Sequence, residues 1–222
     1  MAARKSYNQN CPIARGVDVI GERWTLLVLR ELIGGARRYS DLRAALPGIA
    51  TNLLADRLRE LEDAGLVDRT ELPAPIARTV YTLSQTGWRK VPPVIQAVAR
   101  FGLDLVVQDD SALTPLNGFL AGILLAFDPA RADALDATYR VDIDGRRFDF
   151  AVKNGTLSAG NTEPAVTVTA AARDVITARI GSTAAQRKAA LRRLTFVGDG
   201  GDVAAMRTAF HLAGDPQLAV SG

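Results

Sequence analysis

The period of the apolar residues changes partway along this chain, and that change limits the folds open to it. Up to about residue 107 apolar residues recur mostly at helical spacing; from about residue 139 they alternate along short runs. One layer architecture cannot serve both patterns. The reading is α+β, with a mostly helical first half and a mixed second half. At 222 residues the chain has room for two domains.

In the first half, Ile13, Val17 and Ile20 form one helical stretch that Gly21 interrupts. Trp24, Leu27, Val28 and Glu31-Leu32 continue a second, which Gly34-Gly35 ends. A third short helix is expected from a Ser40 cap to Leu46, where Pro47-Gly48 turns the chain. A fourth begins near Thr51, carries Leu54, Leu58 and Leu61 on one face and ends at Gly65. Helices three and four with their short turn make a helix-turn-helix pattern. Two strands follow, one over Leu66-Val67 to Leu72 and one over Val80 to Leu83, joined by a Pro73 to Arg78 loop. A hairpin directly after a helix-turn-helix is a winged helix. Ser84 then caps a long helix to about Val107, with Pro92-Pro93 expected to bend or break it.

In the second half, Leu116 to Phe127 reads as an apolar helix. Val141 to Ile143, Phe148 to Phe150 and Val166 to Val168 alternate at period two, and Asp144-Gly145 and Asn154-Gly155 are hairpin-turn dipeptides. Helices near 171–180 and 184–192, a strand over Leu194 to Val197 and a closing helix near 202–212 complete an α+β domain. The expected division is a winged-helix domain at 1–108, a linker at 109–115 and a second domain at 116–222.

Composition narrows the function. With one Cys and one His the chain can build neither an internal disulfide nor a Cys/His zinc site. Nor does it offer a phosphate-cradling glycine loop, or a nucleophile and base at a recognisable spacing. No enzyme activity, cofactor or metal is expected. The longest apolar stretch falls short of the roughly 20 residues that span a bilayer, so no membrane insertion is expected. Arg4 and Lys5 are not followed by a signal-peptide apolar run, and the expected location is cytoplasmic. The 27 basic and 24 acidic residues are spread evenly over both halves, so any nucleic-acid contact must come from a local patch.

The first half resembles the HxlR-type branch of the MarR-like winged-helix transcription regulators. The resemblance is carried by Cys11-Pro12, Gly21-Glu22-Arg23-Trp24, Arg38-Tyr39 with Leu42, and Pro47-Gly48-Ile49. It continues through Leu54, Arg57, Leu58 and Leu61, then Gly65-Leu66-Val67, and ends with Tyr81, Leu83, Ser84 and Gly87. It implies a homodimer that sets two recognition helices in successive major grooves of a pseudo-palindromic operator, about 34–36 Å apart. On that footing Thr51, Asn52, Ala55, Asp56 and Arg57 are candidates for base or phosphate contacts on helix four, with Arg59 further along. Asn pairs with adenine, and Asp accepts from cytosine N4. Arg38 before helix three and Arg78 in the wing are candidates for backbone or minor-groove contacts. Arg57 has a second reading as an ion-pair partner of Glu60, and Thr51 as a cap. Relatives often carry Ser at the place of Ala50, where this chain has no hydroxyl. Cys11 is either a redox- or electrophile-sensing thiol, as the resemblance implies, or a packing residue.

Residues 116–212 resemble the sterol-carrier-protein fold through Tyr139, Val141, Ile143 and Gly145, then Phe148, Phe150, Val152 and Gly155. Pro164 to Thr169 and Leu194 to Asp199 extend the match. The resemblance implies an apolar site for a fatty-acyl or sterol-like molecule. Candidate lining residues are Phe119, Ile123, Phe127, Phe150 and Phe196, with Arg179 or Arg192 as carboxylate partner; the same residues also suit a packed core. His211 reads as a surface or packing residue. Three functions stay open: a DNA-binding regulator modulated by a hydrophobic ligand, a regulator switched at Cys11, and a lipid carrier whose winged helix is a dimer scaffold.

Overall fold

The computed structural model describes residues 6–73, 78–102, 105, 123–124, 126–132, 135–214 and 216. The expected linker at 109–115, Phe119 and the wing residues 74–77 lie outside the described residues. The chain divides into two compact units, Met1–Leu32 with Ala36–Gly87, and Ile33–Gly35 with Trp88–Gly222.

The first unit runs α1 (Pro12–Ile20), α2 (Thr25–Ile33), α3 (Tyr39–Ala45), α4 (Thr51–Asp63), β1 (Val67–Leu72), β2 (Arg78–Leu83) and the first turn of α5 (Gln85–Gly102). Proline at the first position of α1 sacrifices an N–H that has no partner there anyway. Helix α3 begins a residue before Ser40: its N-cap is Arg38, whose N–H donates to the Asp41 carboxylate at 3.2 Å. Ser40, expected as the cap, is instead the second helical residue. Helix α4 ends in a Schellman turn, with Leu66 N–H donating to Leu61 O at 3.0 Å and Gly65 N–H to Glu62 O at 2.8 Å. Gly65 sits at φ +67°, so the glycine expected there is required by the backbone.

Strands β1 and β2 pair antiparallel from Val67 opposite Leu83 to Leu72 opposite Arg78. Arg78 therefore belongs to β2 rather than to the loop. The Ser84 hydroxyl donates to Gly65 O at 2.6 Å and accepts from Gly87 N–H at 2.9 Å, capping α5 onto the end of α4. Helix α5 continues through Pro92-Pro93 without a break. The two prolines delete the N–H donors that would have reached residues 88 and 89, and the helix is unbroken on either side.

In the second unit, β3 (Asp136–Ile143), β4 (Arg146–Lys153), β5 (Thr156–Ala159), β6 (Val166–Ala170) and β7 (Thr195–Gly198) form one sheet in the order β5-β4-β3-β6-β7. Only β3 and β6 run parallel. The two hairpins close through Asp144-Gly145 and Asn154-Gly155, all four residues at positive φ, as a two-residue type I′ loop demands. Helices α6 (Ala172–Ile180) and α7 (Ala184–Leu191) lie between β6 and β7 in sequence, and α8 (Gly200–Ala209) follows β7. Along β3 and β4 the alternating residues Tyr139, Val141, Ile143, Phe148, Phe150 and Val152 are buried, joined by Val166 and Val168 of β6. Met206, Ala209 and Phe210 from α8 and its end are buried as well.

Candidate nucleic-acid interface

Helix α4 is amphipathic in the way a reading helix needs. Leu54, Leu58 and Leu61 are buried with Leu42 and Leu46, while Thr51 and Asn52 are exposed at its N-terminal end. Ala50 is the N-cap and contributes no side-chain bond. The entry to the helix is held from α3 instead, where the Tyr39 hydroxyl donates to Thr51 O. Thr51 is thus the first helical residue and not a cap. Asn52 Oδ1 accepts from Leu53 N–H at 3.0 Å, within the first turn of the helix.

Further along the same helix, Ala55 and Asp56 are half-buried, and Asp56 pairs with exposed Arg59 at 3.1 Å. Arg57 departs from the DNA-contact expectation. Its side chain is buried, 2.9 Å from the Glu60 carboxylate and 3.7 Å from that of Glu22 before α2. Its charge is spent inside the unit, holding the start of α2 to α4.

Arg38 is exposed at the start of α3, and Arg78 is exposed at the start of β2. Two further exposed cations were missed from the sequence: Arg43 in the last turn of α3, and Arg69 on β1 beside Glu71 at 3.2 Å. Both follow from the elements once the register is known, because Arg43 leaves α3 next to buried Leu42 and Arg69 faces Tyr81 across the wing. Burial pushes the Tyr81 phenol up, with Arg69 acting in the opposite direction.

Cys11 sits at the N-cap of α1, half-buried and in no disulfide. The N–H groups of Ala14 and Ile13, in the first turn, hold its thiol below the ordinary value. Arg15, one turn on, lies 4.0 Å from Asp18.

The expected ligand residues of the second unit fall into three settings. Ile123, Phe127 and Phe150 are buried. The Phe210 ring meets that of Phe127 at a tilt, 5.1 Å between centres, and that of Phe150 edge-on at 5.4 Å. Phe196 is half-buried on β7 under the Arg207 guanidinium, 5.2 Å from its ring centre. Arg179 is buried with its Nη1 and Nη2 donating to the carbonyls of His211, Pro216 and Phe210 at 2.8–2.9 Å. Burial pulls its pKa down to about 10, which leaves it charged at neutral pH. It closes the end of α8 rather than presenting a free cation. Arg192 is exposed at the C-cap of α7. His211 lies 3.5 Å from Asp128. Among the described residues no cluster of His, Cys, Asp and Glu could hold a metal, and no helix is long and apolar enough to cross a membrane.

Known proteins match the first half of the chain. A family model described as HxlR-like helix-turn-helix matches residues 19–110. The uncharacterized HTH-type transcriptional regulator sll1512 of Synechocystis sp. (strain PCC 6803) is 40% identical over 108 residues, covering 49% of this chain and 79% of that protein. YvaP of Bacillus subtilis (strain 168), also an uncharacterized HTH-type transcriptional regulator, is 30% identical over 102 residues, 46% of this chain and 94% of its own. A MarR-family regulator of Porphyromonas gingivalis W83, known from its crystal structure, is 32% identical, with 46% of this chain and 100% of that one aligned and a TM-score of 0.42. With four helices, a Schellman turn and a two-stranded wing in the matched span, and with relatives that are themselves transcriptional regulators, this chain belongs to the HxlR-like helix-turn-helix family.

Proposed function

We propose that the protein is a homodimeric transcription regulator that reads a pseudo-palindromic operator through α4, with an apolar small molecule in the second unit modulating the binding. The observation that carries the DNA reading is the exposed N-terminal end of α4, where Thr51 and Asn52 lead the helix and exposed Arg38 stands at the N-cap of α3. Exposed Arg78 on the wing is a further cation within the same unit. Dimerisation is supported by apolar side chains left uncovered: Ile13 at 77% exposure and Val17 on α1, and Val98 and Phe101, the latter at 82%, on α5. Ligand modulation is supported by the aromatic interior of the second unit and by the likeness of its sequence to sterol-carrier proteins. For a ligand to act, it must bind the conformer that fits DNA with a different affinity from the one that does not.

Fluorescence anisotropy with duplex DNA across a salt series tests the reading. Binding that weakens steeply with salt, from released counterions, is the expected result. Affinity independent of salt would instead favour a lipid carrier with the winged helix as scaffold.

A second reading, a switch at Cys11, is favoured by the two first-turn N–H groups that lower the thiol pKa. Iodoacetamide is expected to alkylate Cys11 faster than a free thiol at pH 7, and DNA binding by Cys11→Ser is expected to ignore oxidants that release the wild type. Equal rates of alkylation would remove this reading.

A further inference from the structure

Among the described residues of the second unit, one buried side-chain polar atom stands without a hydrogen-bond partner. Tyr139, on the central strand β3, is fully buried, and its hydroxyl has no hydrogen-bond partner. Its ring stacks on Phe150 at 5.5 Å and meets Phe210 edge-on at 6.0 Å, so phenylalanine would preserve the ring contacts seen here. A buried hydroxyl left unpaired costs about 1–3 kcal/mol, a cost phenylalanine avoids. The two arginines buried in the described part of this unit are committed to backbone carbonyls. Arg179 is held by three carbonyls, and the other buried arginine, Arg187, donates to Gly181 O at 2.6 Å. The charge that Tyr139 feels is negative, from Asp202 on the first turn of α8.

We propose that the Tyr139 hydroxyl is the polar anchor of the apolar site in the second unit, donating a hydrogen bond to a neutral carbonyl or ether oxygen of a hydrophobic ligand. The inference rests on the reading that this unit takes such a ligand, and it narrows the class. A free carboxylate would enter a site whose buried arginines serve the protein's own carbonyls and whose nearby charge is an acid. A neutral acceptor meets neither penalty, and its oxygen satisfies the one unpaired donor. Fatty acids are thereby disfavoured against neutral esters, ketones and sterol-like ethers.

The test uses the full chain and three probes built on a twelve-carbon chain, methyl laurate, laurate and dodecane, each titrated below its solubility or micelle limit. Wild type is expected to bind methyl laurate more tightly than laurate. Tyr139→Phe, checked for native circular dichroism, is expected to bind the ester about tenfold more weakly while its affinity for dodecane is unchanged. Equal ester affinity in the two proteins overturns the anchor and leaves the apolar site standing. Tighter binding of laurate than of the ester overturns the neutral class. Failure of all three probes to bind wild type overturns the ligand reading and this inference together.

Discussion

Asn52 and Arg38 are both exposed, and the proposed DNA reading gives them different work, which their variants separate. Asn52→Ala removes a donor and acceptor that can read a base edge, so it is expected to cost about 1–3 kcal/mol against the preferred operator and leave the salt dependence unchanged. Arg38→Ala is expected to weaken binding to all sequences alike and to flatten the log–log salt slope by about 0.9. Binding titrations of both variants on specific and scrambled duplexes check this; the same salt slope for Arg38→Ala as for wild type would show that its charge does not reach the duplex. Tyr139 makes a prediction in stability. Burial, assisted by Asp202, raises its phenol from 10.0 to about 12 in the folded protein. The unfolded chain releases this proton from about pH 10 while the folded chain keeps it, so stabilisation present below pH 10 is lost as pH climbs towards 12. The full loss is about 2–3 kcal/mol. Urea unfolding at pH 9 and pH 11 is expected to show wild type losing more stability than Tyr139→Phe; parallel losses would mean that the phenol is solvated.

At the scale of elements, the junction between α4, the wing and α5 turns on two small residues. A Cβ on Gly87 would stand 2.1 Å from Leu66 O, a contact that backbone cannot relieve cheaply, and Gly87 N–H also closes the Ser84 cap. Gly87→Ala is therefore expected to destabilise by several kcal/mol, on the order of an overpacked core site, and Ser84→Ala by about 1–2 kcal/mol. Thermal melts of both variants measure this, and a Gly87→Ala protein as stable as wild type would contradict the packing described. Much of this level was legible in the sequence. Leu54, Leu58 and Leu61 fixed the buried stripe of α4, Gly65 its end, and the Asp-Gly and Asn-Gly dipeptides the two hairpins, because each signal is local. Features that needed a partner from elsewhere were not. The Arg57 pairing with Glu60 is readable from their spacing on one helix, but the approach of Glu22 from before α2 is not. Strand β5 buries only Leu157 among its four residues, too little for an alternating pattern to reveal it. The unpaired state of the Tyr139 hydroxyl is equally invisible, since period two gives the face of a strand and not the neighbours of an atom.

At the scale of the molecule, the two halves follow from two hydrophobic periods, and each unit supplies one part of the proposed device: a module with a bare helix end to read DNA, and an aromatic interior to receive a neutral apolar molecule. In the proposed homodimer two copies of α4 are needed, one for each half-site of a pseudo-palindrome. Ile13→Asp puts a charge on the exposed apolar face of α1 and is expected to convert a dimer to monomer in sedimentation, with DNA affinity falling in parallel; a variant that stays dimeric would place the association surface elsewhere. The most direct test of the central claim is selection of bound duplexes from a random DNA library by the full-length protein. The expected result is enrichment of an inverted repeat whose half-sites lie about one helical turn, roughly 10–11 base pairs, apart. Recovery of no enriched sequence, or of a site without inverted symmetry, would contradict it.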